Sequence, residues 1–118
     1  MSQPAPNTRP VLFICIGASN LARGYGYLTA RLRQELGTQP AEFLTALGPG
    51  RNYCVRGGVF CITYPAICDC GIFEAARERA GQAARVIALV TDIANDIMSG
   101  IPAETIIERL DGIFDKLN

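Results

Sequence analysis

A chain of 118 residues, 49% hydrophobic and 19% charged, carries enough apolar material for one core and too little charge to stay unfolded. Its 11 basic and 11 acidic residues cancel and are interspersed, which excludes the electrostatic footprint of a nucleic-acid or anionic-membrane binder. The polar, proline-rich start MSQPAPNTRP has no apolar segment, so residues 1–10 read as a flexible tail and not a secretory signal. No apolar run reaches spanning length, and the expected compartment is the cytoplasm.

Residues 11–118 read as a single domain. Val11 to Ile16 is a run of β-favouring apolar residues with the length of a strand buried on both faces. It breaks at Gly17-Ala18-Ser19-Asn20 and passes into a helix whose apolar positions Leu21, Tyr25, Leu28, Leu32 and Leu36 recur at spacings of three and four. A strand feeding a helix leaves its turn at the carboxyl end of the sheet, where open α/β sheets bind and react. Ser19 is therefore presented on that edge. As a plain structural alternative, Ser19 or Asn20 would cap the helix with its side-chain oxygen.

Gly37 and Pro40 punctuate, and Ala41 to Leu47 reads as a second strand. The loop after it, Gly48-Pro49-Gly50-Arg51-Asn52-Tyr53, is glycine-rich but lacks the third glycine of a dinucleotide fingerprint. Residues 55–69 read as loop with a short irregular piece. Asp69 is placed to cap a helix that turns Ile72, Phe73, Ala76 and Ala80 inward and Glu74, Arg77, Glu78 and Arg79 outward. Gly81 ends it. Ala84 to Val90 is a third strand, ending in the polar turn Thr91-Asp92-Ile93-Ala94-Asn95-Asp96. Pro102 opens a last helix in which Ile106, Ile107, Leu110, Ile113, Phe114 and Leu117 repeat at helical spacing.

Strands alternating with helices imply parallel strands, right-handed crossovers and a three-layer α/β/α sandwich. In a flavodoxin-like order the first strand lies between the second and third, so the turns at Ser19, Gly50 and Asn95 become neighbours. The five cysteines, an odd number without a signal peptide, are expected to be reduced, with Cys15 in the core. Cys68 and Cys70 form a C-x-C pair, but with no histidine and no C-x-x-C pair neither a metal nor any other cofactor is expected.

At these residues the chain resembles the SGNH, or GDSL-type, hydrolases. Gly17-Ala18-Ser19 stands where that family's G-D-S block carries its nucleophilic serine, with Ala18 in place of the acid. Ile93-Ala94-Asn95-Asp96 stands where its G-x-N-D block lies, with Ile93 in place of the glycine. The resemblance implies hydrolysis of a small-molecule ester or acyl substrate: Ser19 attacks a carbonyl, and the Ser19 N–H, a loop glycine (Gly50) and the Asn95 amide hold the oxyanion. Asp92 and Asp96 read as local residues that fix turns and loops. The family's D-x-x-H block, source of the general base, has no counterpart here, because the chain contains no histidine. Family members run on for two more strand–helix units, so the expectation is a domain truncated to about three strands with little activity alone. The alternative is an inactive α/β module whose strand-end turns hold a small anion or a nucleotide phosphate. A third strand without an outer neighbour is also an apolar edge, from which self-association is expected.

Overall fold

The computed structural model describes residues 9–59 and 61–117, so most of the expected tail over 1–10 lies outside the described residues. Three strands, β1 (Val11–Ile16), β2 (Ala41–Ala46) and β3 (Arg85–Val90), form a parallel sheet in the order β2–β1–β3. Val11 stands opposite Ala41 and Arg85, and Ile16 opposite Ala46 and Val90. The centre belongs to the most continuously apolar strand, all six residues of which are buried. This is a small α/β fold with helices between the strands, in the order expected.

Alternation along β1 divides the core in two. Val11, Phe13 and Cys15 face helix α1 (Ser19–Leu36), meeting Leu21 and the partly buried Tyr25, Leu28, Leu32 and Leu36. Phe13 stacks on Phe43 with ring centroids 5.1 Å apart, and Tyr25 meets Phe43 edge-on at 6.2 Å. Leu12, Ile14 and Ile16 belong to the opposite cluster with Ile72, Phe73 and Ala76 of α2 (Ile72–Ala80) and Ile113 of α4 (Ala103–Leu117). The sheet thus lies between α1 and the α2/α4 pair.

Several local details differ from the sequence reading. Gly71, not Asp69, occupies the N-cap position of α2, and Asp69 closes a 3-10 turn at Ile67–Asp69. The polar turn over 91–96 runs into a short helix, α3 (Ala94–Met98). In α4, Ile106 and Ile113 are buried while Ile107 and Phe114 are exposed, because the helix rests on the sheet along a narrower stripe than its apolar pattern offers. Arg9 and Pro10 are already tied in: the Ala84 N–H donates to the Pro10 carbonyl at 2.8 Å and Gln39 Nε2 to the Arg9 carbonyl at 3.4 Å. No helix among the described residues is long and apolar enough to cross a membrane.

The outer strand is thinly covered. In β3, Val86 is 42% exposed and Ile87 and Leu89 are each 37% exposed. A cavity of about 230 Å³ opens beside it, lined by Phe13, Cys15, Leu28, Leu32, Ile87 and Leu89.

Candidate functional site

The three polar turns meet at the carboxyl edge of the sheet and are joined by long-range hydrogen bonds. Gly17 lies directly under the third turn: a Cβ there would come within 2.5 Å of Thr91 Oγ1 and 2.9 Å of Leu21 Cβ, so only glycine lets α1 start this close to β3. The Thr91 N–H donates to the Ile16 carbonyl at 2.9 Å, and the Gly17 N–H to that of Ala46 at 3.0 Å, carrying the sheet's pairing into the turns.

Ser19 is the first residue of α1 and half-buried. Ala18 holds the N-cap position and no side chain of the segment caps the helix, which removes the capping role considered for Ser19 and Asn20. The cap comes from 71 to 74 residues away. Asp92 Oδ2 accepts the N–H groups of Ala18 at 3.0 Å and Leu21 at 2.9 Å, while Oδ1 accepts from Asn20 Nδ2 at 3.0 Å. A carboxylate at a helix N-terminus satisfies orphan donors and opposes the helix dipole. Burial pushes the Asp92 pKa up, but the bonds from Leu21, Ala18, Asn20 and Thr91 outweigh it and leave it below the usual aspartate value. To make this reach Asp92 adopts φ 63°, the left-handed region that aspartate tolerates better than most residues. Ser19 is bracketed by these contacts and spared by them. Among the described residues neither its hydroxyl nor its N–H has a partner.

Gly50 has φ 75°, and a Cβ on it would lie 2.7 Å from the carbonyl of Gly58, so glycine is required on both grounds. Its N–H is also without a partner among the described residues. Asn95, in the first turn of α3, donates through Nδ2 to the Arg51 carbonyl at 3.1 Å, which fixes the amide and commits one of its two N–H bonds. No hydrogen bond joins Ser19, Gly50 and Asn95 directly; the frame around them brings their turns together.

That frame rests on Asp96 and Tyr53, both fully buried. Asp96 accepts the Tyr53 N–H at 2.9 and 3.0 Å and the Cys54 N–H at 2.9 Å, so its carboxylate replaces the missing strand partners of the loop after β2. The Tyr53 hydroxyl reaches the carbonyls of Thr91 and, at 3.3 Å, Ile16, bridging the ends of β1 and β3. Burial raises the Tyr53 pKa well above the usual phenol value, so the group stays a donor. Burial and then the Asp96 charge push the Cys54 thiol up to about 11, which leaves it unreactive at neutral pH. Asp92 and Asp96 do fix turns, but turns remote in sequence from themselves. Tyr53 and Arg51 had no role in the sequence reading, and the only hint was a bulky aromatic in a glycine-rich loop.

A second concavity, of about 480 Å³, lies between the 3-10 turn and α4, lined by Cys68, Asp69, Thr105, Glu108, Arg109 and Lys116. Its charges are mixed and it shares no residue with the three turns. Among the described residues no group of three or more Cys, Asp or Glu side chains is placed to hold a metal. Compared with known proteins, the chain matches no family model, no curated protein and no solved structure.

Proposed function

We propose that the chain is a serine-hydrolase-like α/β domain of the SGNH type, acting on ester or acyl bonds, with Ser19 as nucleophile and the Ser19 N–H, the Gly50 N–H and the Asn95 amide as oxyanion donors. One observation carries this reading: Asp92 takes the amides of Ala18 and Leu21 on either side of Ser19, and leaves the serine's hydroxyl and N–H unspent at a helix N-terminus. Donors of this kind act on charge that develops mainly in the transition state. The same observation weighs against a phosphate cradle on α1, because the Asp92 carboxylate already sits on the amides a phosphate would use.

The chain has no histidine, and both carboxylates at the site are committed to backbone donors. A serine hydroxyl without a base is a weak nucleophile at neutral pH, so the general base comes from outside these 118 residues. Ester turnover by the chain alone is accordingly slow, limited to what oxyanion donors and binding supply, roughly 10³-fold over water.

Titration with an aryl boronic acid tests this without a protein base: the Ser19 oxygen adds to boron, its proton passes to the buffer, and the anionic tetrahedral adduct that results is held by the oxyanion donors. Boron NMR is expected to show a tetrahedral signal that Ser19→Ala abolishes and Asn95→Ala weakens by roughly tenfold or more. A signal unchanged in Ser19→Ala refutes the assignment, and fast ester turnover abolished by Ser19→Ala refutes the external base.

A further inference from the structure

We infer that Arg51 is the anion-binding residue of the strand-end site, and that the ligand taken there carries a carboxylate or phosphate group. Arg51 is 8% exposed, and its Nε is buried with no hydrogen-bond partner among the described residues. Nη1 reaches the Leu47 carbonyl at 3.5 Å, the outer limit of a hydrogen bond, and the guanidinium carbon lies 5.0 Å from the centre of the Tyr64 ring. Among the described residues no carboxylate pairs with it. The ion pairs among the described residues are Arg31–Glu35 and Arg79–Glu42, while Asp92 and Asp96 at the same edge are spent on backbone N–H groups.

A buried charge is ordinarily paired, because desolvating it is costly and one distant carbonyl with one ring face offsets little of that cost. A folding role would be met equally well by an apolar side chain of the same length. What arginine adds is a planar fork of donors matched to two oxygens of a carboxylate or phosphate. Tyr64 lies against the guanidinium as a cation–π partner, which uses none of its N–H groups in a hydrogen bond. Tyr64 is held there by paired bonds with Gly57, 2.7 and 3.1 Å, and by its close approach to Gly48, so beyond the long Nη1 contact to Leu47 the guanidinium N–H groups are left for a ligand.

Placement ties this group to the candidate site. The Arg51 carbonyl is the acceptor that orients Asn95, and the Arg51 N–H closes a tight turn onto the Gly48 carbonyl at 3.2 Å, directly after β2. The inference rests on the reading of these turns as a ligand site and narrows it: the ester or acyl compound bound there is itself an anion, anchored by Arg51 while its carbonyl lies toward Ser19.

Nitrogen–proton NMR of the arginine Nε–H groups of the wild-type chain reads this directly, with phosphate and acetate titrated separately against chloride at matched ionic strength. The Arg51 signal is expected to shift saturably with at least one oxyanion and not with chloride, and whichever of the two acts identifies the group. The same anion is expected to raise the Tm, by roughly 10 °C at about 100 times its Kd, and Arg51→Lys and Arg51→Met lose that rise. In chloride alone Arg51→Met is expected to melt at or above the wild-type temperature. An Arg51 signal unmoved by both oxyanions overturns the inference, as does a linear shift shared with exposed arginines, or an Arg51→Met chain that unfolds in chloride. Ser19→Ala leaves the Arg51 response intact, so a failure of the hydrolase assignment remains distinguishable from a failure of this one.

Discussion

Replacing Asp92 tests the frame of the site most directly, since one carboxylate holds the start of α1 to the end of β3. In Asp92→Asn the side chain keeps its shape and its tolerance of φ 63°, and its single oxygen can still accept the Ala18 and Leu21 N–H groups. What is lost is the charge at the helix N-terminus, worth about 0.3–1 kcal/mol, and the acceptor for Asn20. Asp92→Ala also loses the cap, about 1–2 kcal/mol, and puts an alanine in the left-handed region at a further cost of about 1–2 kcal/mol. The expected losses are therefore about 1 kcal/mol for Asn and about 2–5 kcal/mol for Ala. Urea unfolding at pH 7 reads the Asn change as a midpoint lowered by roughly 0.5–1 M. Its pH dependence has a definite sign. The folded-state pKa of Asp92 lies below the unfolded value near 3.9, so the carboxylate stabilises the fold above that pH, and the contribution is lost as pH falls through the folded pKa. Wild type and Asp92→Asn should thus differ at pH 7 and converge in acid. Equal stability at pH 7, or a gap that persists undiminished at pH 2, would refute the capping role.

Asp96 is fully buried and accepts from Tyr53 and Cys54, so Asp96→Ala should cost about 3 kcal/mol or more, with hydrogen exchange showing the Tyr53 and Cys54 amides losing protection before those of β1. Unchanged protection would mean that the loop holds itself. At the sheet's outer strand, Val86, Ile87 and Leu89 are more than a third exposed and Arg85 is the sole charge, so the chain is expected to self-associate through β3. Ile87→Lys should raise the dissociation constant roughly tenfold or more, from about 1–2 kcal/mol of lost burial, as read by sedimentation across a concentration series. A wild-type chain that stays monomeric at high concentration with protected β3 amides would show that the edge is covered in another way.

The sequence by itself determined the three strands and the three longer helices and their succession along the chain. The run from Val11 to Ile16 has the length and composition of a strand buried on both faces, and it is the central one; the repeat from Leu21 to Leu36 has the spacing of a helix with one apolar side, and it is one. These signals are local, being periods of two and 3.6 that any short window reveals; the β2–β1–β3 order was expected from a flavodoxin-like arrangement, and the sheet has it. They also brought Ser19, Gly50 and Asn95 to one edge. What the sequence left open was which polar groups would be consumed in holding that edge together. Asp92 looked like a turn residue because its partners at Ala18, Asn20 and Leu21 lie more than 70 positions away, and Ser19 looked like a cap because nothing nearby showed that the cap was already supplied. Tyr53 and Asp96 meet across 43 positions, and Arg51 is conspicuous only once its surroundings are seen to lack a carboxylate. Hydrogen bonds and charge pairing depend on distance in space, which a linear pattern does not carry, so the division of polar groups between those that frame the site and those left free for a ligand was decided by the tertiary structure alone.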